Sequence, residues 1–186
     1  LDRGTIRVGV SLFEPWAMKS QSGKLVGHDI EVAKKLAAEM GVQPEFTVLP
    51  WADIIPALQR GDIDVIISGM AITPKRALRL DFSVPYLEGG VSLATNTQLT
   101  KDIKDMAELN GPSVVVVAVA KTLGSDVAKL VFDKSDLRIV ATSDEARKLV
   151  LENTAHAYVA STVETKFLSL EHPGVVDLPL GKPLMG

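Results

Sequence analysis

Short apolar runs alternate along the chain with segments of helical spacing. Thr5 to Val10 and Ile63 to Ser68 predict strands, and the second run is apolar at almost every position, as is typical of a strand covered on both faces. Between them, the apolar positions of residues 30–40 and 53–60 recur at helical intervals. This alternation predicts an α/β fold with mostly parallel sheets.

The predicted helices carry start and stop signals. Asp29 and Asp53 precede the two apolar patterns and are predicted N-caps, because a carboxylate accepts hydrogen bonds from the unpaired N–H groups of a first helical turn. Gly41 and Gly61 end the helices. Pro56 falls in the first turn of the second helix, where a missing N–H removes no hydrogen bond.

A second series with the same rhythm occupies the rest of the chain. Val114 to Val119 predicts a strand, Lys121 to Asp126 a loop and Val127 to Phe132 a helix. Further strands are predicted at 91–95, 137–141, 156–160 and 175–178, and further helices at 103–109, 143–152 and 162–170. We expect two lobes, residues 1–94 and 95–180, with ligand chemistry in the cleft between them, because open α/β sheets carry binding loops at the carboxyl ends of their strands.

Composition narrows the possible functions. Twenty Lys and Arg against 23 Asp and Glu give a net charge of −3 over 186 residues, and the chain has no cysteine. A mildly acidic chain without a basic block does not suit nucleic acid, and the lack of cysteine excludes disulfides, thiolate metal sites and a cysteine nucleophile. The three histidines match no metal-ligand spacing, and no apolar run reaches the roughly 18 residues of a membrane span. We therefore expect no metal, no cofactor and no direct membrane insertion.

The strongest local signal runs from Gly69 to Arg76. It follows a predicted buried strand, and Thr73 and Pro74 suit the N-cap and first positions of a helix. A helix start favours an anion, and Arg76 in the first turn can form a two-pronged contact with a carboxylate. The alternative is a capped helix with a solvated arginine.

Other candidate ligand contacts also follow predicted strands. Phe13 and Trp51 can line a ligand site, and so can Trp16 and Tyr86, although core packing is the commoner role of an aromatic side chain. The candidate hydrogen-bonding residues are Ser11, Thr122, Ser125 and Ser161. Glu14 and Glu164 are candidate acids, but nothing in the sequence brings them together. The chain has no phosphate-binding glycine loop and no hydrolase nucleophile motif.

Six blocks occur in an order and spacing that resemble a known family: Ile6–Val10, Gly27–Ala33, Trp51–Leu58, Gly61–Ile66, Gly69–Arg76 and Asp81–Tyr86. Together they resemble the solute-binding proteins of bacterial ABC importers for polar amino acids, known as family 3 of the extracellular solute-binding proteins. The resemblance is strong over residues 5–95 and looser over residues 110–180.

The resemblance implies a type II periplasmic-binding-protein-like fold whose two lobes close about a hinge on one ligand. It implies that Arg76 holds the carboxylate of the ligand. Further ligand contacts are implied at Gly69, Ala71, Phe13, Trp51 and the loop from Thr122 to Ser125.

The chain departs from the family where the ligand's ammonium group would lie. The family often has an acid after the first strand and another after the late strand of the second lobe, where this chain has Ser11 and Ser161. Glu14 is the nearest replacement acid in sequence. His28 stands where the family commonly has Phe, and Ala71 where it commonly has Ser or Thr.

The sequence therefore predicts a non-enzymatic binder of a small carboxylate-bearing solute, most simply an amino acid, which it delivers to the membrane permease of an ABC importer. A periplasmic location, with a signal peptide removed, is expected. The alternatives are an enzyme on the same fold, such as a dehydratase of a cyclic carboxylic acid, and the sensing lobe of a receptor. Residues 181–186 are expected to begin a return towards lobe 1, with the remaining segment missing.

Overall fold

The computed structural model describes residues 4–179 and 183–185. The chain divides into two compact units, Leu1–Glu88 and Gly89–Gly186. Each unit is an α/β layer structure built on one main sheet, which confirms the predicted fold class.

The first unit is built on a three-stranded parallel sheet. Its elements are β1 (Thr5–Val10), β2 (Met18–Lys19), β3 (Leu25–Val26), α1 (His28–Glu39), β4 (Gln43–Val48), α2 (Trp51–Gln59), β5 (Val65–Ile66) and α3 (Pro74–Ala77). The sheet order is β4-β1-β5, and β2 and β3 form a separate antiparallel pair. Because all three sheet strands are parallel, the segments that follow them emerge at one edge of the sheet.

The central strand β1 is covered on both faces. Val8 and Val10 pack with Ile30 on α1. Gly9 points the other way, where an added Cβ would meet the side chain of Ile63 and lie 3.4 Å from Ile54 on α2. Alternate residues of one strand therefore face two helices, as expected for the centre of a parallel sheet.

Both predicted acidic N-caps are wrong. Helix α1 begins at His28 after Gly27, and no side chain caps it, while Asp29 lies inside the helix and is fully buried. Helix α2 begins at Trp51 after Pro50, two residues before Asp53. Pro56 consequently lies inside α2, beyond the first turn.

The second unit has a five-stranded mixed sheet. Its elements are β6 (Val91–Asn96), α4 (Met106–Leu109), β7 (Val115–Val119), α5 (Leu123–Val131), β8 (Asp136–Val140), α6 (Ser143–Leu151), β9 (Ala157–Ser161), α7 (Thr162–Glu171) and β10 (Val176–Asp177). The order is β10-β6-β9-β7-β8, in which β9, β7 and β8 are parallel and β6 and β10 are antiparallel to their neighbours. Strand β6 thus belongs to the sheet of the second unit.

Other differences from the sequence-based prediction are local. Residues 123–126, predicted as loop, form the first turn of α5, because Thr122 caps that turn. The strand predicted at 63–68 is reduced to Val65–Ile66. Of the predicted return segment, residues 181, 182 and 186 lie outside the described residues, and Met185 forms a bridge with Val91. In the described part of the chain, no helix combines the length and apolar character needed to cross a membrane.

Candidate functional site

Ser11 ties together the carboxyl ends of all three strands of the first unit. It follows β1 and is buried. Its N–H donates to Ser68 Oγ after β5 (2.8 Å), and its hydroxyl donates to the Leu49 carbonyl after β4 (2.8 Å). The one hydroxyl proton of Ser11 is therefore used within the protein, and its evident role is to hold three strand ends together.

An aromatic and cationic cluster lies at this same edge. The rings of Phe13 and Trp51 meet edge-to-face with centroids 5.3 Å apart. The guanidinium carbon of Arg76 lies 5.4 Å from the centre of the Trp51 ring, within cation–π range. Three of the predicted ligand contacts from the first unit are thus brought into one cluster.

The backbone around α3 fixes the Arg76 side chain. Thr73 caps the helix by accepting a hydrogen bond from the Arg76 N–H (3.3 Å), and Pro74 occupies the first position, as predicted. The Arg76 Nη1 atom donates to the Ala71 carbonyl at 2.8 Å. The contribution of Ala71 is therefore its carbonyl, which orients the guanidinium over Trp51.

Gly69 allows close packing against Trp16. Its φ is +57°, and an added Cβ would lie 3.3 Å from three atoms of the Trp16 indole. Glu14 and Trp16 both lie in a turn formed by residues 13–17. The ends of this turn pair through reciprocal backbone hydrogen bonds between Phe13 and Ala17. Glu14 is partly buried, so the turn holds this candidate acid near the strand ends without enclosing it.

Asp29, predicted from the sequence as a helix N-cap, is a buried acid inside α1. Asp29 Oδ1 accepts a hydrogen bond from the Tyr86 hydroxyl (3.1 Å) and lies 3.0 Å from His28 Nδ1. Its Oδ2 is buried without a hydrogen-bond partner. Burial raises the pKa of Asp29, while the contacts with His28 and Tyr86 oppose that rise. The His28 ring also stacks on Tyr86 at 5.9 Å, so this group ties the segment before residue 88 to α1.

In the second unit, the ends of the parallel strands β7 and β9 lie side by side. Thr122 caps α5 by accepting a hydrogen bond from the Ser125 N–H (3.1 Å), and its own hydroxyl donates to the Val119 carbonyl. Ser125 is fully buried and donates to the Thr122 carbonyl. Gly124 faces the last residues of β9, where an added Cβ would lie 2.8 Å from the Val159 carbonyl oxygen. The first turn of α5 therefore lies against the end of the strand that carries Ser161.

Ser161 caps α7 and is joined to an acid. Its Oγ donates to Glu164 Oε2 at 2.8 Å and accepts from the Glu164 N–H at 3.2 Å. Glu164 Oε1 accepts from the Tyr158 hydroxyl at 3.1 Å. Burial raises the pKa of Glu164, while hydrogen bonds from Ser161 and Tyr158 and the charge of Arg147 oppose that rise. Glu14 lies in the first unit and Glu164 in the second.

Sequence reasoning missed the partners of Asp29 and Glu164 for different reasons. The Ser161–Glu164 spacing is that of a capping box, so the pattern was available in the sequence. The contact between Asp29 and Tyr86 spans 57 residues and has no local signal. Among residues 4–179 and 183–185, no group of three or more His, Asp or Glu side chains is placed to hold a metal ion.

The described fold is of the α/β class, with aromatic and polar side chains clustered at the ends of its strands. Residues 6–165 match the family described as bacterial extracellular solute-binding proteins, family 3, and the chain belongs to that family. It is 31% identical over 116 residues to the L-cystine-binding protein TcyJ of Escherichia coli (strain K12). That match covers 62% of this chain and 44% of the relative, so less than half of the relative's length is represented.

Solved structures give the same family likeness over nearly the whole chain. An ancestral arginine-binding protein bound to glutamine is 33% identical, with a TM-score of 0.89, and the match covers 99% of this chain and 81% of that one. The ancestral amino acid-binding protein AncCDT-1, described as a precursor of cyclohexadienyl dehydratase, is 36% identical with a TM-score of 0.86. That match covers 94% of this chain and 77% of the ancestral protein. Membership of the family predicted from the sequence blocks is confirmed.

Proposed function

We propose that this protein binds an amino acid, or a closely related small carboxylate, for uptake by an ABC importer. The observation that carries the proposal is the position of the Arg76 guanidinium, held by the Ala71 carbonyl and lying over Trp51 at the carboxyl edge of the sheet. A planar guanidinium in this setting suits a carboxylate, because it donates two parallel hydrogen bonds. Relatives of this protein are described as binding cystine, arginine or glutamine, and each of these amino acids carries an α-carboxylate.

The remaining assignments follow from family membership and the geometry. We assign Phe13 and Trp51 to apolar contact with the ligand and Gly69 to backbone contact. We assign Thr122 and Ser125 to the turn that completes carboxylate binding. The family is described as extracellular, so we place the protein outside the cytoplasmic membrane, in the periplasm. There it delivers its ligand to the permease of the importer.

A thermal-shift screen of the purified chain against the twenty amino acids and their deaminated acid analogues tests the proposal. A ligand present at 100 times its dissociation constant adds about 2.7 kcal/mol of stability, enough to raise the melting temperature by several degrees. Hits are then titrated by calorimetry. The proposal fails if no amino acid or small carboxylate shifts the melting temperature at millimolar concentration.

A catalytic function on the same fold is the second candidate, and one observation favours it. Glu164, in the first turn of α7, is a buried acid with a raised pKa, which is a property that general acids share. A neighbour described as a precursor of a dehydratase makes dehydration of a cyclic carboxylic acid the reaction to test. Proton magnetic resonance of such an acid incubated with the protein detects turnover, whereas a binding protein returns it unchanged.

A further inference from the structure

The segment that joins β5 to α3 carries two parts of the proposed site and forms no helix or strand over residues 69–73. Its Gly69 is assigned to backbone contact with the ligand, and its Ala71 carbonyl accepts the hydrogen bond that orients Arg76. The shape of this segment therefore depends on the side chains that pack against it.

The Trp16 indole lies against this segment at Gly69. An added Cβ at Gly69 would be 3.3 Å from three indole atoms, and Trp16 is only 7% exposed. A rigid, buried ring in such close contact limits the movement of the Gly69 backbone. Gly69 also lies close to a second group, because burial raises the pKa of both Asp29 and Tyr86, and the Gly69 backbone opposes that rise in each.

His28 contacts Trp16 and two further residues. Its ring meets the Trp16 indole edge-to-face, with centroids 5.7 Å apart and planes at 82°, and it stacks on Tyr86 at 5.9 Å and 18°. Aromatic rings favour both arrangements. The His28 Nδ1 atom lies 3.0 Å from Asp29 Oδ1, so a hydrogen bond limits rotation of the ring. The ring that touches Trp16 is thus itself held on α1 and on the segment before residue 88.

We propose that His28 is a positioning residue of the ligand site, which holds the Trp16 indole against Gly69 and thereby keeps the segment before α3 in its binding geometry. The inference rests on the proposed function. It assigns His28 an action through Trp16 rather than on the ligand itself. Because the contact is made by the ring, another aromatic ring of similar size should replace it.

Calorimetric titration with the amino acid that gives the largest shift in the thermal-shift screen tests the proposal. His28→Ala removes both ring contacts and should weaken binding roughly 3- to 10-fold, the range that corresponds to one aromatic pair. His28→Phe keeps a ring and should bind within about twofold of the unaltered protein. His172→Ala is the matched control, because His172 ends α7 in the second unit and, within the described part of the chain, its hydrogen bonds come from its backbone. The control should leave the affinity unchanged.

A second background shows whether His28 acts through Trp16. Trp16→Leu keeps an apolar side chain but removes the indole. In that background, His28→Ala should add less than about a twofold loss of affinity, because the effects of residues that act through one another are not additive. A full additional loss overturns the inference.

Trp16 fluorescence gives a measurement that needs no ligand. The chain has two tryptophans, so Trp51→Phe leaves Trp16 as the only emitter. In this background, His28→Ala should move the emission to longer wavelength as the indole gains exposure to water, whereas His28→Phe should leave it in place.

Each result decides. Unchanged affinity in His28→Ala overturns the inference, and so does equal weakening by His28→Phe and His28→Ala. If His28→Ala fails to fold, His28→Leu replaces it with the same expectation, because it too lacks an aromatic ring. An unaltered protein that binds no amino acid defeats the proposed function, which is a separate result, and Trp16 fluorescence then decides whether His28 holds the indole.

Discussion

Replacing Gly124 with alanine tests how closely the first turn of α5 must lie against β9. An added Cβ would be 2.8 Å from the Val159 carbonyl oxygen and 3.3 Å from the Ala160 Cα. Both are backbone atoms of a strand paired on both sides, so neither can swing away as a side chain would. The helix must withdraw by roughly 0.6 Å to restore an ordinary contact, and overpacking of this kind costs about 1–3 kcal/mol.

Two other effects set the net magnitude. Alanine favours a helix over glycine by at most about 1 kcal/mol, and less near a helix end. Withdrawal of α5 also loosens Val127 and Ala128, which are buried in the core of the second unit. We therefore expect Gly124→Ala to lower the free energy of unfolding by about 1–2 kcal/mol.

Urea unfolding followed by circular dichroism measures this change. Tryptophan fluorescence does not, because Trp16 and Trp51 both lie in the first unit. Gly89→Ala is the control: the nearest atom to its added Cβ is Thr162 Oγ1 at an ordinary 3.6 Å. Gly124→Ala that is as stable as the control would refute the argument that backbone contact at this position requires glycine.

Three further predictions concern the first unit. Arg76→Ala should weaken amino-acid binding at least about thirtyfold in calorimetry, because a carboxylate loses its charged partner, whereas Lys75→Ala, on the same short helix, should leave it unchanged. Gly27→Ala should destabilise by at least about 2 kcal/mol more than Gly41→Ala in urea unfolding. Both glycines have positive φ, but only at Gly27 would the Cβ strike backbone, including the Pro15 carbonyl at 2.8 Å. Burial raises the pKa of Asp29 above its ordinary 3.8, so the folded state holds that proton more tightly than the unfolded state. Its contribution to stability therefore falls as pH rises from about 4 through the raised pKa. In urea unfolding at a series of pH values, the free energy of unfolding of Asp29→Asn should change less with pH across that range than that of the unaltered protein.

The sequence predicted which segments form helices and strands better than it predicted their first and last residues. The strand at Thr5–Val10 and the Thr73-Pro74 helix start were predicted correctly, because each depends on local spacing and local cap chemistry. The caps at Asp29 and Asp53 were wrong, because an acid before an apolar pattern can equally lie inside the first turn. Asp29 lies inside the helix, and its carboxylate accepts a hydrogen bond from the distant Tyr86 hydroxyl.

For the candidate site, the sequence identified side chains that could bind a ligand, but it could not show which hydrogen bonds those side chains make. Ser11 and Ser125 were chosen because a hydroxyl after a strand can donate to a ligand. In the structure both hydroxyl protons are donated to backbone carbonyls, of Leu49 and Thr122. Such assignments depend on where a single proton points, and no spacing rule encodes that. The backbone position of Arg76 followed from the sequence, because the Thr73-Pro74 helix start depends on local cap chemistry.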